Sequence, residues 1–248
     1  MKILSMSTAT NNLSVALNNN GEIIAEKNEY DARNHSAHLD PLIDQILKEH
    51  NLKLAEIDRF AVAIGPGSYT GLRIGVTTAK MFASILHKDI VGVSTLQALA
   101  SSCNEQATLI VAGIDARNNN YFAGAYINKE NGNVPVCVIP DGHYHIDTLL
   151  SAISEYCTAN NLERVIYVGT GFEKQEEAIK KTNISFSLGT EKQNVVHAGL
   201  IGKLALNAQP DDPDQLLPNY LRRTQAEIDW HNKTGEAYKP DSNYVEEV

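Results

Sequence analysis

A two-lobed α/β fold, in which each lobe is a meander of strands followed by helices, is what these 248 residues predict. Three observations carry that expectation. Short extended runs alternate with apolar stripes of helical period along most of the chain. The pattern strand, polar loop, strand over residues 3–17 is echoed over residues 109–127. Between a buried-looking strand and a helix in the first half lies a glycine-rich turn, residues 65–71.

In the first half, extended runs are expected at residues 2–6, 13–17 and 22–26, with Asn18-Asn19-Asn20-Gly21 as a hairpin turn between the last two. Leu39, Leu42, Ile43, Ile46 and Leu47 form one helical stripe. Asp40 as N-cap with Pro41 as first helical residue is the least costly start, because proline there forfeits no hydrogen bond. Ser36 as N-cap is the alternative and leaves Pro41 a turn inside the helix. A strand at 59–64, a helix at 71–87, a strand at 90–93 and a short helix from Ser94 complete this half. In the second half, strands at 108–114 and 121–127 flank the polar loop 115–120, and a third strand is expected at 134–139. Helices near 146–157 and 173–181 enclose a strand at 164–168. Such a duplication is the plan of the actin-like/Hsp70/sugar-kinase superfold, with two ribonuclease-H-like halves and a ligand between them; an ordinary doubly wound sheet is the rival. The lobes are expected at 1–104 and 105–248, with a return of the segment near 218–230 to the first lobe left open.

Composition narrows the function. Lys and Arg number 21 against 30 Asp and Glu, a net charge of −9, whereas a protein that grips many phosphates needs a basic surface. Tight direct tRNA binding is therefore not expected. No apolar run approaches the ~18 residues of a membrane span, and the amino terminus lacks a signal-peptide apolar region. Three cysteines, Cys103, Cys137 and Cys157, show no framework spacing, so a cytoplasmic setting is expected.

The stretch Ile64-Gly65-Pro66-Gly67-Ser68-Tyr69-Thr70-Gly71-Leu72-Arg73-Ile74-Gly75 holds the most information. Glycines between a strand and a helix can aim backbone N–H groups at an anion beside the helix N-terminus. A Walker A loop needs Gly-Lys-Ser/Thr at its end, which is absent. A dinucleotide fingerprint needs a glycine where Thr70 stands and an acid where the run Val91-Gly92-Val93-Ser94 stands. A tight turn that packs helix on strand is the competing reading. As written, however, this stretch closely resembles the signature of the TsaB (YeaZ) family. His35-Ser36 ahead of Leu39, Val93 to Ala100, Ile114 to Arg117, Pro218 to Arg222 and Gln225-Ala226-Glu227 resemble further family blocks, in order and spacing.

The resemblance implies an actin-like fold and an accessory role. TsaB proteins pair with TsaD, the catalytic paralogue, and work with the small ATPase TsaE. Together they place threonylcarbamoyl on the adenosine next to the anticodon of tRNAs reading codons that begin with A. It also implies a homodimer when the subunit is alone, and tRNA reached only through the complex. Most relatives carry Asp at the end of the first strand; this chain has Ser7, and a hydroxyl is a weak substitute for a carboxylate on a hard cation. The His pair with which the catalytic paralogue holds a metal has no counterpart in 93–100. No catalytic residue, metal or cofactor is expected; Gly65, Gly67, Ser68, Asp115 and Gly169 are where weak nucleotide binding would fall, each with a plain turn as its alternative. An ATP-using phosphotransferase of the same fold is the next reading, and a peptidase the last, since Ser68 and Ser94 lack a base and an elbow. His35 with His38, and Asp141, His143, His145 and Asp147, are weak metal candidates; Pro140 and Gly142 argue for a loop through the latter set.

The 71–87 helix is apolar nearly all round, with Gly75, Ala79 and Ala83 recurring every four residues, a row that lets another helix approach closely. The resemblance makes this helix and 36–50 the partner surface, through His38, Leu39, Leu42, Ile46, Leu72, Arg73, Val76, Ala79, Lys80 and Ala83.

Overall fold

A computed structural model describes residues 1–30, 34–128 and 134–222, together with Trp230, Lys233 and Thr234. The block Gln225-Ala226-Glu227 and most of the stretch 223–230 lie outside the described residues.

The first three strands are β1 (Lys2–Ser7) and β2 (Asn12–Asn19), buried almost throughout, and the less buried edge strand β3 (Glu22–Tyr30). The β2–β3 turn is Asn20-Gly21, at φ 48° and 88°. Two successive left-handed residues match the right-handed twist of the strands, which is why Asn-Gly stands there. Helix α1 (His35–Glu49) begins earlier than the Asp40 start expected from Pro41, and Pro41 sits inside it. The earlier start carries Leu39 onto the buried stripe and brings the His35 ring to the Thr10 carbonyl at 2.8 Å. Then follow β4 (Arg59–Gly65), α2 (Tyr69–Leu86), β5 (Asp89–Ser94) and α3 (Thr95–Ala100), capped by Ser94.

The second half gives β6 (Leu109–Asp115), β7 (Asn120–Ile127), β8 (Val136–His145), α4 (Ile146–Asn160) and β9 (Arg164–Gly169). A 3₁₀ turn at Phe172–Gln175 leads into the short α5 (Glu176–Lys180), and β10 (Ser185–Leu188) and α6 (Ala198–Ala205) follow. Pro140 and Gly142 do not break β8, contrary to the loop they suggest. β8 is the outermost strand of its sheet, and its pairing with β7 is irregular there; an edge tolerates a missing N–H.

The sheets have the orders β3-β2-β1-β4-β5 and β8-β7-β6-β9-β10, and their pairings match strand for strand: antiparallel, antiparallel, parallel, parallel. This is the duplicated two-lobed α/β architecture. Three cores stack through it. α1 and α2 cover the outer face of the first sheet, α3 and α6 lie between the sheets, and α4 and α5 cover the outer face of the second.

The chain returns to the first lobe at α6, well before residue 218. Ile201 and Ala205 enter the core between the sheets, and Asn18 and Ser14 bond the α6 backbone. Arg59, nearly buried, donates to the carbonyls of Ala205 (2.6 Å) and Ala208 (2.9 Å) and pairs with Asp89 at 2.8 Å. A guanidinium at the carboxyl end of a helix meets both the unpaired carbonyls and the negative dipole end. Residues 206–219 then run past β5, where Asp211 bridges Ile90, to the end of β4, where the Asn219 amide donates to Ile64.

Candidate functional site

The glycine turn joins β4 to α2, and the loop after β1 fills its hollow. A Cβ on Gly67 would collide with the Ala9 carbonyl, one on Gly71 with the Thr8 carbonyl, and one on Gly65, at φ 127°, with the Asn219 carbonyl. The amide of Ser68 donates to Ala9 O at 2.7 Å, the Gly71 amide to Ser68 Oγ, and Thr8 Oγ1 to Gly71 O at 2.6 Å. Gly65, Gly67 and Ser68 therefore pack strand, helix and loop together. The N–H groups of Ser68 and Gly71, which an anion would use, already have partners in the protein.

The equivalent place in the second lobe is built differently. Ser7 ends β1 fully buried; Asp115 ends β6 partly exposed. Asp115 Oδ1 accepts from the Arg117 amide at 2.8 Å, and Oδ2 pairs with Lys174 at 3.0 Å. Partial burial pushes the Asp115 carboxyl up, but the Arg117 amide and the Lys174 ammonium outweigh it and hold it below the usual carboxylate range. Gly169, at φ 110°, lies against Gly113, and Gly171 lies against Asp115. The structure brings Asp115 and the 169–171 turn together at the ends of β6 and β9.

The helix pair corrects the interface residues expected from the sequence. Leu39, Leu42, Ile46, Val76, Ala79 and Ala83 are buried in the chain's own core with Leu4, Phe60 and Val62, and Leu72 is buried in the core between the sheets. The row Gly75, Ala79, Ala83 faces inward: a Cβ on Gly75 would sit 2.5 Å from Thr8 Oγ1 and 3.5 Å from Val62. Small residues here let α2 lie close on its own sheet. His38 and Arg73 are exposed; Lys80 is partly so, with its ammonium on the Leu216 and Asp214 carbonyls. What α2 offers to solvent is a different row, Tyr69, Arg73, Thr77, Met81 and Ile85, spaced by four. Tyr69 is 40% exposed, Met81 44% and Ile85 70%, and Leu217 beside the helix is 55% exposed. Tyr69 stacks on Tyr220 at 4.6 Å, and Arg73 lies over the Tyr69 ring. Counting the phase of the small residues would have found this row, since it is the complement of theirs.

Residues 22–230 match the family described as "TsaD: tRNA N6-adenosine threonylcarbamoyltransferase". The "tRNA threonylcarbamoyladenosine biosynthesis protein TsaB" of Bacillus subtilis (strain 168) is 31% identical over 231 residues, spanning 93% of this chain and 98% of that protein. The chain belongs to the TsaB (YeaZ) family. Its Escherichia coli (strain K12) relative of the same name is 37% identical over 134 residues, 53% of this chain and 58% of that one. The solved structure of YeaZ from Pseudomonas aeruginosa has a TM-score of 0.70 at 23% identity, covering 89% of this chain and 99% of that one. The ROK hexokinase of Thermus thermophilus has a TM-score of 0.50 at 8% identity, covering 84% of this chain and 100% of that one, a likeness of fold alone.

Among the described residues of this TsaB-family chain, no group of three His, Cys, Asp or Glu is placed to hold a metal. His38 pairs with Glu29, and His35 bonds Thr10, so the two rings part. Asp141 does not join His143 and His145; it turns inward across Gly124 to accept from Ser94 (2.5 Å) and Tyr126. Ser94 in turn accepts from the Leu96 and Gln97 amides, so its one proton goes to Asp141. That ties the α3 cap to the second sheet and leaves Ser94 no role as a nucleophile. No helix among the described residues is long and apolar enough to cross a membrane.

Proposed function

We propose that this chain acts in tRNA threonylcarbamoyladenosine biosynthesis as an accessory subunit, which pairs with a TsaD-like transferase and activates it without catalytic groups of its own. The part of the outer row of α2 beyond Arg73, which is uncharged, carries the reading. Past Arg73, the solvent side of a three-turn stretch presents Thr77, Met81, Ser84 and Ile85, and the nearest cation, Lys80, is held on the carbonyls of residues 214 and 216. A surface helix without a partner keeps a polar face. Covering Met81 and Ile85 with apolar partner atoms gains about 25 cal/mol per Å² removed from water.

Two further observations support the accessory role. The amides of Ser68 and Gly71 are spent on the Ala9 carbonyl and the Ser68 hydroxyl. At the end of β1, where a phosphotransferase of this fold would carry an acid, stands the buried Ser7. In this reading a TsaE-like ATPase and the tRNA join through the complex, and the free subunit pairs with a second copy through the same α2 row. We assign it no cofactor and a cytoplasmic setting. The test is a modification assay with the transferase, the ATPase, substrate and unmodified tRNA, run with and without this chain. Modification that depends on the chain supports the role. Modification at full rate without it, or ATP turnover by the chain alone above a Ser68→Ala/Asp115→Asn control, overturns it.

A further inference from the structure

A second polar device lies where the chain passes from the second lobe back to the first. His197 immediately precedes α6, and both of its ring nitrogens face oxygens. Nδ1 is 3.1 Å from Glu26 Oε1 on β3, and Nε2 is 3.0 Å from the Lys192 carbonyl. A carboxylate and a carbonyl only accept, so both contacts are hydrogen bonds only when both ring nitrogens carry protons. The geometry is that of an imidazolium.

The two acceptors belong to different lobes. Glu26 lies in the first sheet, where Ser14 Oγ on β2 donates to the same Oε1 at 3.1 Å and accepts from the Ala198 amide at 2.9 Å. Lys192 lies in the turn 189–194, which is bound to the second lobe: the Gly189 amide donates to Tyr167, and Asn194 Oδ1 accepts from the Gly169 amide. The ion pair is largely shielded, with side-chain exposures of 15% for His197 and 18% for Glu26. The bond to the Lys192 carbonyl lies on the exposed side of the ring, where water can take the place of a lost partner.

We propose that His197 is a proton-operated clasp between the lobes: as imidazolium it joins Glu26 to the Lys192 carbonyl, and on losing a proton it releases the turn 189–194. The neutral ring keeps a single N–H. A tautomer with that proton on Nε2 would turn a lone pair toward the Glu26 carboxylate, so the proton stays on Nδ1 and the bond to Lys192 O is the one lost. The turn itself carries two charged residues, Glu191 and Lys192; the Lys192 ammonium opposes protonation, Glu26 on β3 favours it, and Ser14 and Asn12 on β2 are neutral.

The direction of titration agrees. The hydrogen bond that the ring donates to Glu26, set against burial, raises the His197 imidazole above its ordinary 6.5. Burial pushes Glu26 up, but His197 and Ser14 outweigh it and hold it below the usual 4.5. A raised histidine contributes stability that is complete below its unfolded value and is lost as pH rises through the folded one; a depressed glutamate contributes stability lost as pH falls through its own. The clasp is whole between those limits and opens on the alkaline side.

The test begins with the unaltered protein. His197 is followed by two-dimensional NMR through the pH range, and amide exchange of residues 190–200 is measured at about pH 6 and about pH 8, corrected for intrinsic exchange. We expect a midpoint above 6.5 and a loss of protection confined to 190–200, with β4 unchanged. Glu26→Gln should lower the midpoint and move the loss of protection to lower pH. A His197 midpoint at or below 6.5, or protection of 190–200 that does not change between the two conditions, overturns the clasp.

Discussion

Helices α1 and α2 lie side by side on the same face of the first sheet and feed one core, yet they meet solvent in opposite ways. Inward, both present apolar side chains at helical spacing: Leu39, Leu42, Ile43 and Ile46 from one, Val76, Ala79 and Ala83 from the other. Outward, α1 shows Asp40, Asp44, Gln45, Lys48 and Glu49, with Lys48 paired to Asp44 and Glu49 to Lys27. α2 shows Thr77, Met81, Ser84 and Ile85 over the same length. The fold dictates the inner faces, because they must bury the sheet. It leaves the outer faces free, so the difference between them reports use rather than stability.

The comparison breaks most violently from within. Ala79→Glu or Ala83→Arg places an unpaired charge in the core, at about 3–5 kcal/mol. The variant should lose its cooperative melting transition by circular dichroism; a folded variant of near-normal melting temperature would show that this row faces outward after all. Smaller, and at the root of α2, is Gly71→Ala. Its Cβ would collide with the Thr8 carbonyl, so the β1–β2 loop or the helix start must shift, at about 1–3 kcal/mol. Chemical denaturation should give a lowered midpoint with an unchanged slope.

Much of this contrast was legible in the residues, and the part that was not has a physical reason. The strands around Asn20-Gly21 and the α1 stripe follow from period and turn chemistry alone. The duplication was legible from the echo of 3–17 in 109–127, and the pairings repeat it strand for strand. Pro41 misplaced the start of α1, because the buried positions won by the earlier turn outweigh one lost bond at an exposed site. The short β10 and α6 carry too few residues for a periodic signal; packing on the outer core of the second sheet fixes the one, and the core between the sheets the other. Most instructive is the small-residue row of α2. Composition says that something approaches closely there, but the phase relative to Thr8 and Val62 decides that it is the chain's own sheet. Asp141 reads as one of an alternating metal set until the β8 irregularity turns it toward Ser94.

On the outer faces the expected stability effects are the smallest. Asp44→Ala and Lys48→Ala remove one exposed i,i+4 pair, worth about 0.3–0.5 kcal/mol, and should leave partner binding untouched. A loss of binding from these α1 changes would erase the contrast between the two helices.

The decisive measurement is the affinity of the TsaD-like partner for a Met81→Lys/Ile85→Glu double variant, by titration calorimetry, after melting has shown the variant folded. Both side chains are exposed, Ile85 more than Met81, so stability should change by no more than about 0.5 kcal/mol. If the α2 row is the contact, two charges set into an apolar interface should weaken binding at least about tenfold, 1.4 kcal/mol, and abolish chain-dependent tRNA modification. Wild-type affinity in the folded variant would contradict the account and move the partner surface off α2.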